Sequence, residues 1–318
     1  MLAAPMTDIH PDDRVLVTGA SGVIGVALVA ELRAHGYRNV VTVSSRDCDL
    51  RREGAVSRLF RSERPQALFH LAARVYGIMG NTHHRADAYL DNVRINTNVV
   101  EAARRAQVKK VVAMGSTAMY SDSVPLPMRE EDVWLGPPHP SEAPYAHAKR
   151  GMLAQLEAYR EECGLDFALA ISTNLFGPHD RFDERWGHVV PSLISKVHNA
   201  VEQGTELRVW GTGTPQRDFL YSADAARALR LIGEGHSGTI NLASGAPVTV
   251  RVLVDTLVEV SGYKGSVSWD ASMPDGQRMR EYDTSRLRAL GFVPRHTLQA
   301  GLTATFRWYS RHYKEARR

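Results

Sequence analysis

The segment RVLVTGASGVIG, residues 14–25, decides the fold class of this chain. It begins with apolar and β-branched residues, which are typical of a buried strand. Residues 23–35 then have helical periodicity, with Ile24, Leu28 and Leu32 on one stripe. A strand, a Gly-x-x-Gly-x-x-Gly turn and a helix together point free backbone N–H groups at a diphosphate. The segment therefore predicts a dinucleotide-binding turn whose contact residues are Gly19, Ser21, Gly22, Val23, Ile24 and Gly25.

The residues that follow the second predicted strand, at 40–43, indicate which form of the cofactor binds. A fold of this kind that binds NAD usually places an acidic residue here to hold the ribose 2′-hydroxyl. Ser45 and Arg46 instead suit a 2′-phosphate, because a guanidinium binds phosphate as a charged fork. Asp47 comes next and could reach a hydroxyl instead. We expect NADPH, with Asp47 as the feature that opposes it.

Ser116, Tyr145 and Lys149 form a candidate proton relay. A lysine four residues after a tyrosine lies on the same helical face. Its charge should lower the phenol pKa from about 10. Ser116 follows a predicted strand at 110–115 and would hydrogen-bond the substrate oxygen. A Tyr–Lys pair alone is common on helix surfaces, but after a nucleotide turn and a strand-end serine it predicts hydride chemistry at a carbonyl or alcohol carbon.

Short apolar strands alternate with helical segments through the first half of the chain. Further strands are predicted at 67–72, 110–115 and 168–171, and a helix is predicted at 89–106. This alternation predicts an α/β fold with a doubly wound parallel sheet of the Rossmann type. In such a sheet the active residues gather at the carboxyl ends of the strands.

The order of segments also predicts two domains. We expect a dinucleotide-binding domain over 12–177, with 217–245 returning to it. A smaller, partly interleaved substrate domain is expected over 178–216 and 246–315. The second half of the chain has weaker periodicity, and we expect it to be richer in loops.

Composition limits the possible classes of protein. The chain has 318 residues, 43% hydrophobic and 23% charged, with a net charge of +4. These values are typical of a soluble globular protein. No apolar run approaches the roughly 18 residues needed to span a bilayer. The first residues lack the order of a signal peptide, so we expect a cytoplasmic protein without a membrane partner.

Metal and nucleic-acid binding are not expected from the composition. Cys48 and Cys163 are the only cysteines, and neither has a metal-ligand spacing. His83 and His84 are adjacent in a polar segment without a further set of ligands. Basic residues are spread along the chain, whereas a nucleic-acid protein is expected to concentrate them on one face.

The chain resembles the extended short-chain dehydrogenase/reductase family and, within it, the GDP-L-fucose synthases. The resemblance covers nearly the whole chain and extends well beyond the general motifs. It is carried by HLAA at 70–73, NLFGPHD at 174–180, GHVVP at 187–191, VWGTGTP at 209–215 and the stretch 263–276. Members of that group epimerise GDP-4-keto-6-deoxy-D-mannose at C3 and C5 and then reduce C4 with NADPH.

The resemblance implies roles for individual residues. Ser116, Tyr145 and Lys149 would be the reductive triad, and His188 the acid in epimerisation. The implied cofactor contacts further include Arg46, Leu71, Ala72, Ala73, Asn92, Tyr145 and Lys149. The implied substrate contacts are Ser116, Thr117, Asn174, His188, Lys196, Trp210, Arg217 and Arg280. A homodimer packed through helices at 89–106 and 145–163 is also implied.

For three of these residues, the sequence also allows a purely structural role. Trp210 could pack in the core, Arg217 could pair with the neighbouring Asp218, and His188 could be a structural histidine.

Two positions depart from the pattern of that group. Ala118 stands where the group has the cysteine base of epimerisation, and an alanine cannot remove a proton. Ser21 stands where the group has a basic residue near the 2′-phosphate. We therefore expect an NADPH-dependent 4-ketoreductase of a GDP- or dTDP-linked 4-keto-6-deoxy sugar, with epimerase activity lost or reduced.

Three alternatives stay open. The chain could be a bifunctional GDP-L-fucose synthase in which His188 or His179 acts as the base. It could be a 4-epimerase or a 4,6-dehydratase, although a dehydratase needs an Asp-Glu pair and residues 117–119 contain no carboxylate. It could also be a non-catalytic NADP-binding protein, for which an intact proton relay would have no use.

Overall fold

Strands and helices alternate along the chain in the computed structural model, which describes residues 8–75, 83–184, 187–273 and 279–317. The strands are β1 (Val15–Thr18), β2 (Val40–Val43), β3 (Ala67–His70), β4 (Lys110–Met114), β5 (Asp166–Ser172), β6 (Asn174–Phe176), β7 (Leu207–Trp210), β8 (Gln216–Arg217), β9 (Phe219–Tyr221), β10 (Gly238–Leu242), β11 (Val248–Thr249) and β12 (Val267–Asp270). The helices are α1 (Val23–Ala34), α2 (Glu53–Glu63), α3 (Arg85–Arg105), α4 (Ala143–Cys163), α5 (Val189–Gln203), α6 (Ser222–Gly235), α7 (Val250–Ser261), α8 (Ser285–Ala289) and α9 (Leu298–His312).

Six of the strands form one parallel sheet in the order β10, β5, β4, β3, β1, β2. Val15 of β1 lies opposite Val40 on one side and Ala67 on the other. The chain reverses its direction of winding at the β1–β3 boundary, where ligands of such sheets bind. The predicted doubly wound Rossmann sheet is therefore confirmed.

Both faces of the sheet are covered by helices, because successive side chains of a strand point to opposite faces. Leu16 and Leu68 pack with Val99 of α3 and Leu153 of α4 on one face. On the other face, the sheet packs against the apolar stripes of α1 and α6, which include Leu28, Leu32, Leu229 and Ile232. A sheet buried on both sides explains why its strands are almost continuously apolar.

A third apolar cluster lies in the second half of the chain. Ile194 of α5, Leu253 of α7 and Leu302 of α9 are fully buried within it. The expectation that this half is richer in loops is wrong, since α5, α6, α7 and α9 are regular helices of 12 to 15 residues. Their short apolar stripes become buried only when the helices pack on one another.

The chain leaves the main sheet after β5 and later returns to it. After α6 the chain returns to the main sheet, where β10 pairs with β5 along five residues. The predicted domain boundaries remain a prediction. In the described part of the chain, every helix is too short or too polar to cross a bilayer.

Replacing Gly25 by alanine should destabilise the protein. A Cβ there would lie 2.6 Å from Cα of Ala20 and closer still to the Gly19 carbonyl oxygen. Both obstacles are backbone, so we expect a loss of about 1–3 kcal/mol in the free energy of unfolding, measured in urea. Gly151→Ala is the matched control because nothing lies within 4 Å of its Cβ position in α4. It should gain about 0.5–1 kcal/mol. Equal effects of the two changes would contradict the close packing of this turn.

Candidate active site

The turn between β1 and α1 presents unpaired backbone donors. Gly22 is the N-cap of α1, with no side-chain cap, and the first turn contains no acidic residue. Gly19 has φ +74°, and there is no room for a side chain on it. A Cβ would lie 2.8 Å from the Ala72 nitrogen. The first N–H groups of a helix without a side-chain cap bind anions. The turn therefore fits a diphosphate, and it contacts the backbone that follows β3.

Asn92 holds the segment after β3 rather than presenting its amide to a cofactor. It is fully buried. Its Oδ1 accepts from the Arg74 N–H at 3.0 Å, and its Nδ2 donates to the carbonyls of Arg74 and Ala88 at 2.8 and 2.7 Å. Both amide hydrogens are thus engaged by the main chain. The predicted cofactor contact of Asn92 remains a prediction, and in this structure its amide holds the main chain next to Leu71, Ala72 and Ala73.

The turn after β2 engages the acidic residue that opposed NADPH. The Asp47 carboxylate accepts hydrogen bonds from the Ser44 N–H at 2.8 Å and the Ser44 hydroxyl at 2.6 Å. These two bonds lower the pKa of Asp47. Ser45 and Arg46 are exposed beside it. The carboxylate is therefore already used in the turn, whereas the cation and hydroxyl that suit a 2′-phosphate face solvent.

A groove of about 460 Å³ lies between this turn and α1. Arg33 lines it, together with Ser21 and Ser44. The sequence analysis missed Arg33 as a second cation at this end of the cofactor site. The signal was helical spacing, because Val26, Ala30 and Arg33 follow one face of α1.

Burial has the largest effect on the pKa values of the proton relay. The Lys149 ammonium donates to the Met114 carbonyl at 2.8 Å and lies 5.9 Å from the centre of the Tyr145 ring. Burial lowers the pKa of Lys149 to about 8. Burial also raises the pKa of Tyr145, as does the negative charge of Glu142, while a hydrogen bond from Ser116 lowers it.

The expected acidification of the phenol by Lys149 is therefore wrong for this structure. Transfer of a phenolate out of water costs more than the neighbouring cation returns. Tyr145 stays protonated near neutral pH, and a protonated phenol can give its proton to a developing alkoxide. Ser116 caps the short 3₁₀ turn Thr117–Met119 through the Ala118 N–H at 3.2 Å, which places its hydroxyl beside the phenol.

A buried polar chain links the nucleotide turn to the relay helix. The Thr18 hydroxyl lies 2.8 Å from His70 Nδ1, and His70 Nε2 lies 3.2 Å from Asn96 Oδ1. Asn96 then donates to the carbonyl of Ala148, next to Lys149, at 3.3 Å. Burial, followed by the charge of Lys149, lowers the pKa of His70 to about 3, so the imidazole is neutral. Sequence reasoning missed Asn96, although it lies one helical turn after Asn92.

Charged groups collect beside the relay. Arg280 pairs with Glu142 at 3.3 Å. Glu142 lies one helical turn before Tyr145. His188 is the N-cap of α5, and the residue is exposed. The negative charge of Glu142 acts on both Tyr145 and His188, and their membership of one site remains a prediction.

The remaining predicted substrate residues lie on several elements. Lys196 of α5 lies 4.3 Å from the centre of the Trp210 ring. Trp210 is 40% exposed, so it does not pack in the core. Asn174 donates to the Asp218 carbonyl at 3.0 Å, and Arg217 donates to the Gln216 carbonyl at 2.7 Å. Thr117 is buried beside Ser116.

No group of three or more His, Cys, Asp or Glu side chains in the described ranges is arranged to hold a metal ion.

Comparisons with known proteins agree with this fold. The model of the NAD dependent epimerase/dehydratase family matches residues 15–243. A probable GDP-L-fucose synthase 1 of Oryza sativa subsp. japonica is 37% identical, covering 93% of this chain and 92% of its own. The GDP-L-fucose synthase of Escherichia coli K12 is 34% identical, with 93% and 96% coverage. A crystal structure of a GDP-L-fucose synthetase from Naegleria fowleri bound to NADP has a TM-score of 0.91 at 32% identity, over 98% of both chains.

Proposed function

The chain belongs to the NAD dependent epimerase/dehydratase family, and we propose that it reduces the C4 ketone of a nucleotide-linked 4-keto-6-deoxy sugar. It is an NADP-dependent sugar-nucleotide oxidoreductase similar to the GDP-L-fucose synthases. The observation that supports the proposed reaction most directly is the protonated, partly buried Tyr145 with Ser116 hydrogen-bonded to it. The Lys149 ammonium lies 5.9 Å from the centre of the Tyr145 ring.

The cofactor site would be formed at the β1–β3 boundary. The turn of residues 19–25 would bind the diphosphate through backbone N–H groups, and Ser45 and Arg46 would bind the 2′-phosphate. Leu71, Ala72 and Ala73 would line the same crevice. NADPH, when bound, supplies the hydride.

The residues of the relay would control the substrate oxygen. Ser116 would orient the C4 carbonyl by donating a hydrogen bond to its oxygen. Tyr145 would donate its proton to that oxygen as hydride reaches the carbon, so that the ketone becomes a hydroxyl group and Tyr145 a phenolate. The ammonium of Lys149 would stabilise this phenolate and favour its formation.

Ala118 argues for reduction without efficient epimerisation. Removal of a proton α to the C4 ketone needs a positioned base. Ala118 is 3% exposed and lies in the short turn that Ser116 caps. The GDP-L-fucose synthase names of the relatives favour the alternative of a bifunctional enzyme. In that case His188, the N-cap of α5, is the base to consider.

The substrate would be a diphosphate, GDP- or dTDP-linked. Lys196, Arg217 and Arg280 would supply cations for it, and the exposed ring of Trp210 an aromatic surface. His188, Asn174 and Thr117 would contact the sugar. These assignments are proposals from position and chemistry.

A homodimer through α3 and α4 remains part of the proposal. Tyr89 and Leu90 of α3 are 47% and 44% exposed, which leaves apolar surface on the helix that packs against α4. A second copy would cover this surface. The cytoplasmic location expected from the sequence also remains a prediction.

Tyr145→Phe should abolish reduction while leaving cofactor binding intact. Loss of a general acid typically costs about 10²–10⁴-fold in rate. The measurement is consumption of NADPH with a 4-keto-6-deoxy sugar nucleotide, together with NADPH affinity by fluorescence. Tyr159→Phe is the matched control, because Tyr159 lies near the other end of α4, where its hydroxyl donates to Glu101 of α3. Retained turnover in Tyr145→Phe would refute the assignment of the acid, and no turnover by the wild-type protein would refute the reaction.

Solvent deuterium should enter C3 and C5 of the substrate slowly or not at all with the wild-type protein. Ala118→Cys should increase this exchange, because it restores a thiol where the related enzymes have their base. Ala118→Ser, of similar size but without a thiol, serves as the control. Mass spectrometry of the recovered sugar measures the exchange. Rapid exchange by the wild-type protein would show that another residue acts as base.

The value of kcat/KM for reduction should fall as the pH rises through about 8, where Lys149 loses its proton. Below that pH the ammonium is present and can stabilise the phenolate. Lys149→Arg keeps its charge across this range, so the same fall should be absent from any activity it retains. A level wild-type profile, or an unchanged fall in Lys149→Arg, would contradict the role of this group.

A further inference from the structure

The residues after α9 return to the nucleotide turn. The carbonyl of Arg317 accepts a hydrogen bond from the Phe182 N–H at 2.8 Å. Its guanidinium Nη1 lies 3.5 Å from the carbonyl oxygen of Ser21. Ala316 packs against the third apolar cluster. The C-terminal tail is therefore held against the protein, and its basic side chain lies at the glycine turn, some 296 residues away along the chain.

The loop that holds this tail also borders the cofactor turn. A Cβ on Gly177 would lie 3.5 Å from Val23 Cγ2, at the first residue of α1. Three residues later, Asp180 is buried, and its Oδ2 has no hydrogen-bond partner in the described part of the structure. Burial raises the pKa of Asp180 to about 7, and the charge of Arg317 opposes that rise. The guanidinium thus lies at the glycine turn, and its charge acts on a carboxyl group that is partly neutral at pH 7.

Arg317 is exposed, so its guanidinium is accessible to an anion that binds at this turn. The N-terminus of a helix carries partial positive charge, so a guanidinium beside α1 is unfavourable by itself. The first turn of α1 contains no acidic residue, and Asp180 offers incomplete compensation. Residues 19–25 contain no basic side chain that could pair with a diphosphate.

We propose that Arg317 binds the diphosphate of the cofactor, so that the C-terminal tail completes the nucleotide site. The diphosphate is the preferred partner because Ser21 and Val23 flank the N-terminus of α1. The groove toward the 2′-phosphate is bordered by a different cation, Arg33, and ends at Ser44. The proposal rests on cofactor binding and not on the identity of the sugar.

Titration of the full-length protein tests this proposal without any sugar substrate. Arg317→Ala should weaken the binding of NADPH and NADH about tenfold each, because both carry the same diphosphate. The difference from the wild-type protein should shrink at high salt. Nicotinamide fluorescence measures both dissociation constants. Arg311→Ala, which removes an exposed charge from the last turn of α9, should leave both unchanged.

Arg317→Lys separates charge from structure. It should retain part of the affinity, while its unfolding temperature and that of Arg317→Ala should stay close to the wild-type value. Unchanged affinity in Arg317→Ala would overturn the proposal. A loss confined to NADPH would also overturn it, because the guanidinium would then contact the 2′-phosphate. Normal reduction kinetics of Arg311→Ala would show that the proposed reaction is intact whichever result is found.

Discussion

The approach of two backbones at the carboxyl edge of the sheet constrains the rest of the structure. Gly19 lies so close to Ala72 that no side chain fits between the turns after β1 and β3. The same two strands are joined by the hydrogen bond between Thr18 and His70. Through Asn96 this contact extends to the carbonyl before Lys149. The place where a dinucleotide can lie and the place of the relay are therefore set by one connected group of buried contacts.

Desolvation controls protonation in this group more than neighbouring charges do. Tyr145 and Lys149 are four residues apart, yet burial moves the phenol pKa up and the ammonium pKa down. His70 is kept neutral for the same reason. A protonated phenol beside a buried ammonium suits a reaction in which negative charge appears on the substrate oxygen during turnover, because both groups can stabilise that charge.

Local patterns predicted the parts of the molecule that local chemistry determines. The strand at 40–43 and the start of α1 at Val23 are as expected, because glycine spacing and β-branched runs specify them. The relay residues were predicted from the same kind of local pattern, and their role remains a proposal. Asn96, Arg33 and Arg317 were missed because their importance comes from neighbours distant in the chain. Helices of the second half were missed because their apolar stripes are short and become buried only against each other.

The return of β10 to the main sheet has a consequence for synthesis of the chain. Until residues 238–242 have left the ribosome, the edge of β5 has no partner on that side. Unpaired strand edges can join those of other chains. A nascent chain that ends before β10 therefore carries an unpaired, apolar strand edge. The sheet of its nucleotide-binding half stays incomplete until the segment that pairs with β5 has been made.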